Sequence, residues 1–259
     1  MPSLFLRVFG CNFECAGFGQ ERGKLIPVEE MPYQIDERAD PEHELAYKSI
    51  EELPVTPIGC DSSASWSRKY KHLQMTKTPE EVFEHLVSLI PNGTFEGRHG
   101  EDIHLVITGG EPLLGWQRVW PSLLSMCKEV GLKNVTFETN GSKEVTPELI
   151  NYFNSPEGED IHVTWSTSPK LSLSGEKLED TLKPECLTSM NQVLNSYLYN
   201  KFVVRDIVDF EEVDMFVQAY KDARVIVDAV YCMPEGATFE QQTLTEKDVA
   251  EACMQTGYK

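Results

Sequence analysis

Six short segments rich in β-branched and aromatic residues alternate with amphipathic stretches along the chain, and this alternation most restricts what the sequence can fold into. The strand-like segments are Leu4–Phe9, Ile103–Ile107, Asn134–Glu138, Ile161–Trp165, Tyr197–Val204 and Val225–Tyr231. Between them, Thr78-Pro79-Glu80-Glu81 combines an N-cap hydroxyl, a proline at the first helical position and a capping-box glutamate, and leads into the periodic run Val82, Phe83, Leu86, Leu89, Ile90. Thr146-Pro147-Glu148 opens a second helix, and further helices are predicted at about 116–130, 186–195, 209–221 (Asp209 as cap, Glu212 completing the box) and 246–254. Strands alternating with helices predict an α/β fold with a mostly parallel sheet, closed or partly closed as a barrel, with ligands at the carboxyl ends of its strands.

The chemically suggestive residues obey that rule. Cys11 follows the first strand, Thr108–Pro112 the second, Glu138–Gly141 the third, Ser168–Lys170 the fourth and Met233–Gly236 the sixth. The alternation breaks once, at about 16–59, in an acidic, proline-punctuated excursion containing Glu29-Glu30, Asp36-Glu37, Asp40-Pro41-Glu42 and Glu51-Glu52. The whole of 1–259 reads as one domain carrying this insertion.

Charge narrows the class of partner. Lys and Arg number 23 against 42 Asp and Glu, a net charge of -19, which disfavours long-range attraction to a phosphate backbone. No apolar run approaches the roughly 20 residues that span a bilayer, and Met1-Pro2-Ser3 leads directly into the first strand with no export signal. Seven cysteines, an odd number in a chain of this size, favour a reducing compartment, so a cytoplasmic protein without membrane or direct nucleic-acid contact is expected. Cys127, Cys186 and Cys253 fall in apolar helical stretches that suit inert buried thiols.

Cys11 and Cys15, three residues apart directly after a strand, are able to aim two thiolates at one centre, although such a pair on its own is equally two buried thiols. A closed zinc site asks for four ligands, and no second close pair appears. A 4Fe-4S cluster held by three cysteines leaves one iron open to another ligand. Cys11-Asn12-Phe13-Glu14-Cys15 resembles the start of the Cys-x3-Cys-x2-Cys signature of radical S-adenosylmethionine enzymes, with Phe18 at the third position. Cys60-Asp61-Ser62-Ser63-Ala64-Ser65-Trp66 resembles the Cys-Asp-Thr-x-x-x-Trp segment that begins at the third cysteine in one branch, the 7-carboxy-7-deazaguanine synthases. Leu6-Arg7-Val8-Phe9-Gly10-Cys11 resembles that branch's approach to the first cysteine.

Thr108-Gly109-Gly110-Glu111-Pro112 resembles the superfamily's Gly-Gly-Glu-Pro motif, and Glu138-Thr139-Asn140-Gly141 and Ser168-Pro169-Lys170 resemble strand-end segments of the same branch.

The resemblance implies a partial (β/α)6-type barrel, with Cys11, Cys15 and Cys60 as cluster ligands across the insertion. It implies S-adenosylmethionine against Gly109, Gly110, Glu111, Glu138, Asn140, Ser168, Pro169 and Lys170. Mg2+ is expected at Ser62, in place of the family threonine, because a serine hydroxyl is also a hard oxygen ligand. The pterin is expected at Arg7, Thr108 and Pro234, the guanidinium suiting its carboxylate. The implied reaction is a carbon-nitrogen lyase step, 6-carboxy-5,6,7,8-tetrahydropterin to 7-carboxy-7-deazaguanine with loss of ammonia, in queuosine-type precursor synthesis. No catalytic residue is implied beyond these cofactor sites. A homodimer and an electron donor such as flavodoxin are implied with it. The family's glycine-rich N-terminal segment has no counterpart here, and the insertion is expected to replace that wall. Two other readings fit part of the pattern: an activase of glycyl-radical enzymes, which shares the early cysteines, and a zinc or structural protein binding a partner through the acidic insert.

Overall fold

The structure, a computed structural model, describes residues 2–97 and 99–259. Each β-rich segment forms a strand: β1 (Ser3–Val8), β2 (His104–Gly109), β3 (Asn134–Thr139), β4 (His162–Thr167), β5 (Ser196–Val204) and β6 (Ala229–Pro234). They make one 6-stranded sheet in sequence order, β1 to β6, every pairing parallel. Parallel neighbours need crossover connections, and the helices supply them. The short α1 (Pro32–Ile35) and then α2 (Pro79–Leu89) lie between β1 and β2, α3 (Trp120–Glu129) follows β2, and α4 (Pro147–Phe153) follows β3. Then α5 (Leu178–Thr181) and α6 (Pro184–Met190) follow β4, α7 (Ile207–Asp222) follows β5, and α8 (Phe239–Thr256) follows β6. This is the expected α/β architecture of a partial barrel. Among the described residues, no helix is long and apolar enough to cross a membrane.

Strand alternation separates the two faces of the sheet. In β5, Leu198, Phe202 and Val204 are buried in the main core, where Phe202 meets Phe216 of α7 edge-on at 5.7 Å, while Tyr199, Lys201 and Val203 keep partial exposure on the other face. The core centres on β3 and β4. Phe137 stacks on Trp165 at 5.0 Å, its register partner, and Phe153 of α4 and Trp120 of α3 close on Phe137 edge-to-face.

Local signals set most boundaries. The capping box of α2 forms as read, Glu81 N–H donating to Thr78 Oγ1 and Thr78 N–H to the Glu81 carboxylate. The cap of α7 is Asp206 rather than Asp209; the Asp209 carboxylate is buried and accepts from Arg22 and from the Arg205 N–H, so it is spent on tertiary contacts. The last helix starts earlier than predicted, because Thr238 and Gln241 form a second capping box. The sixth strand begins at Ala229 rather than Val225: Asn191 holds both backbone groups of Ile226, and the Asp228 carboxylate accepts from Leu198 N–H.

Residues 16–59 build a small hydrophobic cluster of their own, with Met31, Tyr33, Ala39 and Tyr47 packed against Tyr70. Glu29, Glu30, Glu37, Asp40, Glu42, Glu51 and Glu52 are exposed, so the acidic character of the segment lies on its outside. Its two ends meet: Gly59 N–H donates to the Phe18 carbonyl at 2.7 Å. The base is stitched to the barrel by Gly17 N–H to Ser174 O and by Gln241 Nε2 to Pro57 O.

Phe137 sits between three aromatic neighbours, so truncation leaves a cavity that the rigid sheet cannot fill. Phe137→Ala is expected to cost about 3–5 kcal/mol, measured by urea unfolding; a loss below ~1 kcal/mol would contradict this packing.

Candidate functional site

A cavity of about 390 Å³ opens at the carboxyl rim of the sheet. All six strands contribute to its lining. Arg7 comes from β1, Thr108 and Gly109 from β2, Glu138 and Thr139 from β3, Ser166 from β4, and Lys201 and Val203 from β5. The loops beyond add Cys11, Cys15, Gly110, Asn140, Ser168 and Lys170, and the end of the sheet adds Met233, Pro234 and Glu235. Phe18, Gly19, Pro57 and Gly59 of the insertion form one wall, and Cys60, Asp61, Ser62 and Trp66 follow from it. Two residues singled out in the sequence, Glu111 and Pro169, do not line the cavity.

The cysteine loop is held by backbone contacts from distant segments. Gly10 N–H donates to Ser65 O at 2.7 Å, bringing the loop after β1 beside the loop after Cys60. Glu176 Oε1 accepts from Glu14 N–H and Cys15 N–H at 2.9 and 2.7 Å, fixing Cys15 in its left-handed conformation at φ 50°. The glycine pair serves the same assembly: a Cβ on Gly109 would overlap Val8 and one on Gly110 would overlap the Gly10 carbonyl, so both glycines permit close approach of chain to chain.

Glu111 explains how the third loop is placed. Fully buried, it accepts from Thr139 Oγ1 at 2.7 Å, Leu113 N–H at 2.9 Å and Asn140 N–H at 2.8 Å. Burial pushes its carboxyl up, and these donors pull the other way. Its oxygens are therefore used to join the loops after β2 and β3. Asn140 is held in turn: its Oδ1 accepts from Ser142 N–H and hydroxyl, which turns its Nδ2 toward Asn12 Oδ1 at 3.1 Å and Cys11 Sγ at 3.9 Å.

Cys11, Cys15 and Cys60 are all free thiols. Burial pushes Cys11 up to about 11, the Phe13 N–H opposing and Glu111 and Cys60 adding to the rise. Burial likewise raises Cys15 and Cys60, while Lys170 lowers both; at Cys60 the Trp66 indole also favours the thiolate. Such thiols ionise on binding a cationic centre, which displaces their protons. Among the described residues, no three His, Cys, Asp or Glu side chains are gathered tightly enough to hold a single metal ion. Cubane ligands stand farther apart, since each binds its own iron, so a cysteine trio spread around one cavity fits a cluster better than zinc. Cys127 and Cys186 are buried in the helical core, and Cys232 and Cys253 pack between β6 and α8.

Charges in the cavity divide into paired and free. Lys201 Nζ meets Glu138 Oε1 at 3.1 Å, and Thr108 Oγ1 donates to Glu138 Oε2 at 3.2 Å. Lys170 Nζ donates only to Ser168 Oγ, and neither Lys170 nor Arg7 has a carboxylate partner among the described residues. Ser62 Oγ donates to Asp61 Oδ1 at 3.2 Å, two hard oxygens at the cavity edge. The buried Glu235 accepts from Gly19 N–H and Arg205 Nε, and Arg205 also reaches Gln20 O, which latches the insertion to the ends of β5 and β6. The Ser166 hydroxyl lines the cavity, fully buried and without a partner.

Sequence reasoning passed over Lys201, Ser166 and Glu176; Glu235 fell within the Met233–Gly236 segment it named, but not as a latch on the insertion. Period-two alternation in β5, which sets Lys201 beside Val203, was a usable signal for the first. Nothing local marks Glu176, whose partners lie 161 and 162 positions away.

No family model matches the chain. Over 206 residues it is 29% identical to the 7-carboxy-7-deazaguanine synthase of Pyrobaculum aerophilum, covering 80% of this chain and 77% of that protein. Over 162 residues it is 30% identical to the 7-carboxy-7-deazaguanine synthase of Halobacterium salinarum, covering 60% of this chain and 61% of that one. The six-stranded parallel sheet, with three cysteines and the glycine-rich loop converging on one rim, agrees with what these relatives support, a radical S-adenosylmethionine enzyme, a class that carries a 4Fe-4S cluster and S-adenosylmethionine. Within that class the two relatives, at about 30% identity over 60–80% of this chain, support the 7-carboxy-7-deazaguanine synthase family.

Glu111→Gln keeps the volume but turns one acceptor into a donor facing an N–H or hydroxyl. The expected result is a loss of about 1–3 kcal/mol in stability, with faster amide exchange at 139–142; unchanged exchange there would contradict the bracing role.

Proposed function

We propose that this chain converts 6-carboxy-5,6,7,8-tetrahydropterin to 7-carboxy-7-deazaguanine with loss of ammonia, supplying a precursor of queuosine-type bases. The observation that carries the reading is the pairing of two free cations, Arg7 and Lys170, with three cysteines in one cavity. S-adenosylmethionine and the carboxypterin each bring a carboxylate, and a cavity in a chain of net charge -19 needs local cations to receive them.

Cys11, Cys15 and Cys60 would hold the cluster, and its chemistry when bound with S-adenosylmethionine is one-electron cleavage of the sulfonium, yielding a carbon radical that takes hydrogen from substrate. Lys170 would meet the methionyl carboxylate; its closeness to the cysteines whose ionisation it favours supports that role. Gly109, Gly110, Asn140 and Ser168 line the same side, Pro169 supports Ser168 and Lys170 from a buried position, and Glu111 holds the Asn140 loop. Glu138, fixed by Lys201 and Thr108, is left able to accept from a ribose hydroxyl. Arg7 offers a guanidinium fork to the pterin carboxylate, with Thr108 beside it in the sheet and Pro234 across the cavity. Ser62 and Asp61 suit Mg2+, which keeps most of its shell from water and substrate. The insertion excludes water from the side where Phe18, Gly19, Pro57 and Gly59 stand. An electron donor of the flavodoxin type would reduce the enzyme.

Anaerobic incubation with dithionite, S-adenosylmethionine, Mg2+ and the carboxytetrahydropterin is expected to give 7-carboxy-7-deazaguanine by mass spectrometry; cluster-loaded protein that forms none of it would overturn the assignment. Arg7→Ala removes a charged hydrogen-bond partner and is expected to raise KM for the pterin roughly 10–100-fold with KM for S-adenosylmethionine unmoved.

A further inference from the structure

Two buried donors beside the cysteines make no regular hydrogen bond among the described residues. The Tyr33 hydroxyl has no acceptor there, the Trp66 indole N–H has only the Cys60 sulfur beside it, and the two rings meet edge-to-face at 5.2 Å inside the insertion's hydrophobic cluster. Buried donors are ordinarily paired, so two such donors in contact with each other call for a shared explanation. Both stand next to Cys60. The Tyr33 ring edge, at Cε1, lies 3.2 Å from where a Cβ on Gly59 would sit, and Gly59 directly precedes Cys60. Trp66 lines the cavity with Cys60, six positions on in the same tight loop, its indole on the side of the Cys60 sulfur.

Resting on the cluster reading above, we infer that Tyr33 Oη–H and Trp66 Nε1–H donate hydrogen bonds to the sulfurs of a 4Fe-4S cluster on Cys11, Cys15 and Cys60, and thereby raise its reduction potential. The Cys60 sulfur beside the Trp66 indole is one such acceptor, and the cluster supplies the one that the Tyr33 hydroxyl lacks among the described residues. Adding one electron from the reductant makes the cluster more negative and its sulfurs better acceptors, so donors aimed at them stabilise the reduced form more than the oxidised one. No proton moves; Oη and Nε1 keep theirs. A phenol keeps its proton at neutral pH, so Tyr33 Oη remains a donor. Cys11 already has comparable company, with Phe13 N–H at 3.5 Å and Asn140 Nδ2 at 3.9 Å from its sulfur. Tyr33 belongs to the insertion, so the detour between the second and third cysteines contributes a donor that a two-residue spacing cannot carry.

The test is the cluster midpoint, by EPR-monitored titration of the anaerobically reconstituted chain, in the wild type, Tyr33→Phe and Trp66→Phe. Tyr33→Phe deletes only the hydroxyl; Trp66→Phe deletes the N–H and narrows the ring, so iron content is read alongside its midpoint. Each variant is expected to retain its iron and sulfide and to titrate more negative, a tenfold change in the reduced-to-oxidised ratio appearing as about 59 mV. Full iron with a wild-type midpoint in both variants overturns the inference. Should Tyr33→Phe lose its iron, Trp66→Phe decides alone, together with proton ENDOR in deuterated buffer: an exchangeable coupling lost on substitution supports the donor, and an unaltered spectrum overturns it. A wild type that assembles no iron-sulfur cluster sinks the cluster reading as well, whereas a normal cluster with unmoved midpoints sinks this inference only.

Discussion

The hydrogen bond from Gly59 N–H to the Phe18 carbonyl closes the insertion on itself, and the site depends on that closure. Without it Cys60, 45 positions beyond Cys15, would return only through the Gly10–Ser65 contact, the Gln241–Pro57 contact and the insertion's own core. Loop closure costs about 0.6 kcal/mol per doubling of length, so extending a two-residue spacing to the span of 16–59 costs roughly 3 kcal/mol. Burying one or two large apolar side chains, at about 1.5–3 kcal/mol each, offsets that. The insertion buries Met31, Tyr33 and Tyr47 against Tyr70, and the Glu235–Arg205 latch adds hydrogen bonds at its base. The detour therefore holds its shape through its own small core.

The parallel sheet does the remaining assembly. Because every strand runs the same way, each carboxyl end reaches one rim, and the loops there are joined to one another: Ser65 to Gly10, Gly10 to Glu111, Glu111 to Asn140, and Glu176 to Cys15. Glycines at 109 and 110 allow the contact of the first two strands' loops. The chain's acidic surface and the cavity's cations are complementary, since Arg7 and Lys170 line the cavity with no carboxylate partner among the described residues while the carboxylates of the insertion face outward.

The rim was legible in the sequence because strands alternate and their ends are marked: Arg7, Thr108, Glu138 and Ser168 fall where a parallel sheet puts them, and the cavity gathers them. Lys201 follows from the same alternation once β5 is placed. What stayed hidden has no local signature. The aromatic core of the insertion is spaced without period over short turns, so neither a 3.6 nor a 2.0 repeat reveals Tyr33 beside Cys60. Glu176 and Glu235 act on backbone N–H groups far away in sequence. Asp209 looked like a helix cap because local spacing allows it, and tertiary pairing with Arg22 took it elsewhere.

The central claim is that three cysteines, one of them across an insertion, hold the cluster. Iron and labile sulfide counted per chain after anaerobic reconstitution, with each of the seven cysteines changed to alanine in turn, tests it directly. The account predicts that Cys11→Ala, Cys15→Ala and Cys60→Ala abolish the cluster while Cys127, Cys186, Cys232 and Cys253 are dispensable for it. An intact cluster in Cys60→Ala would contradict it.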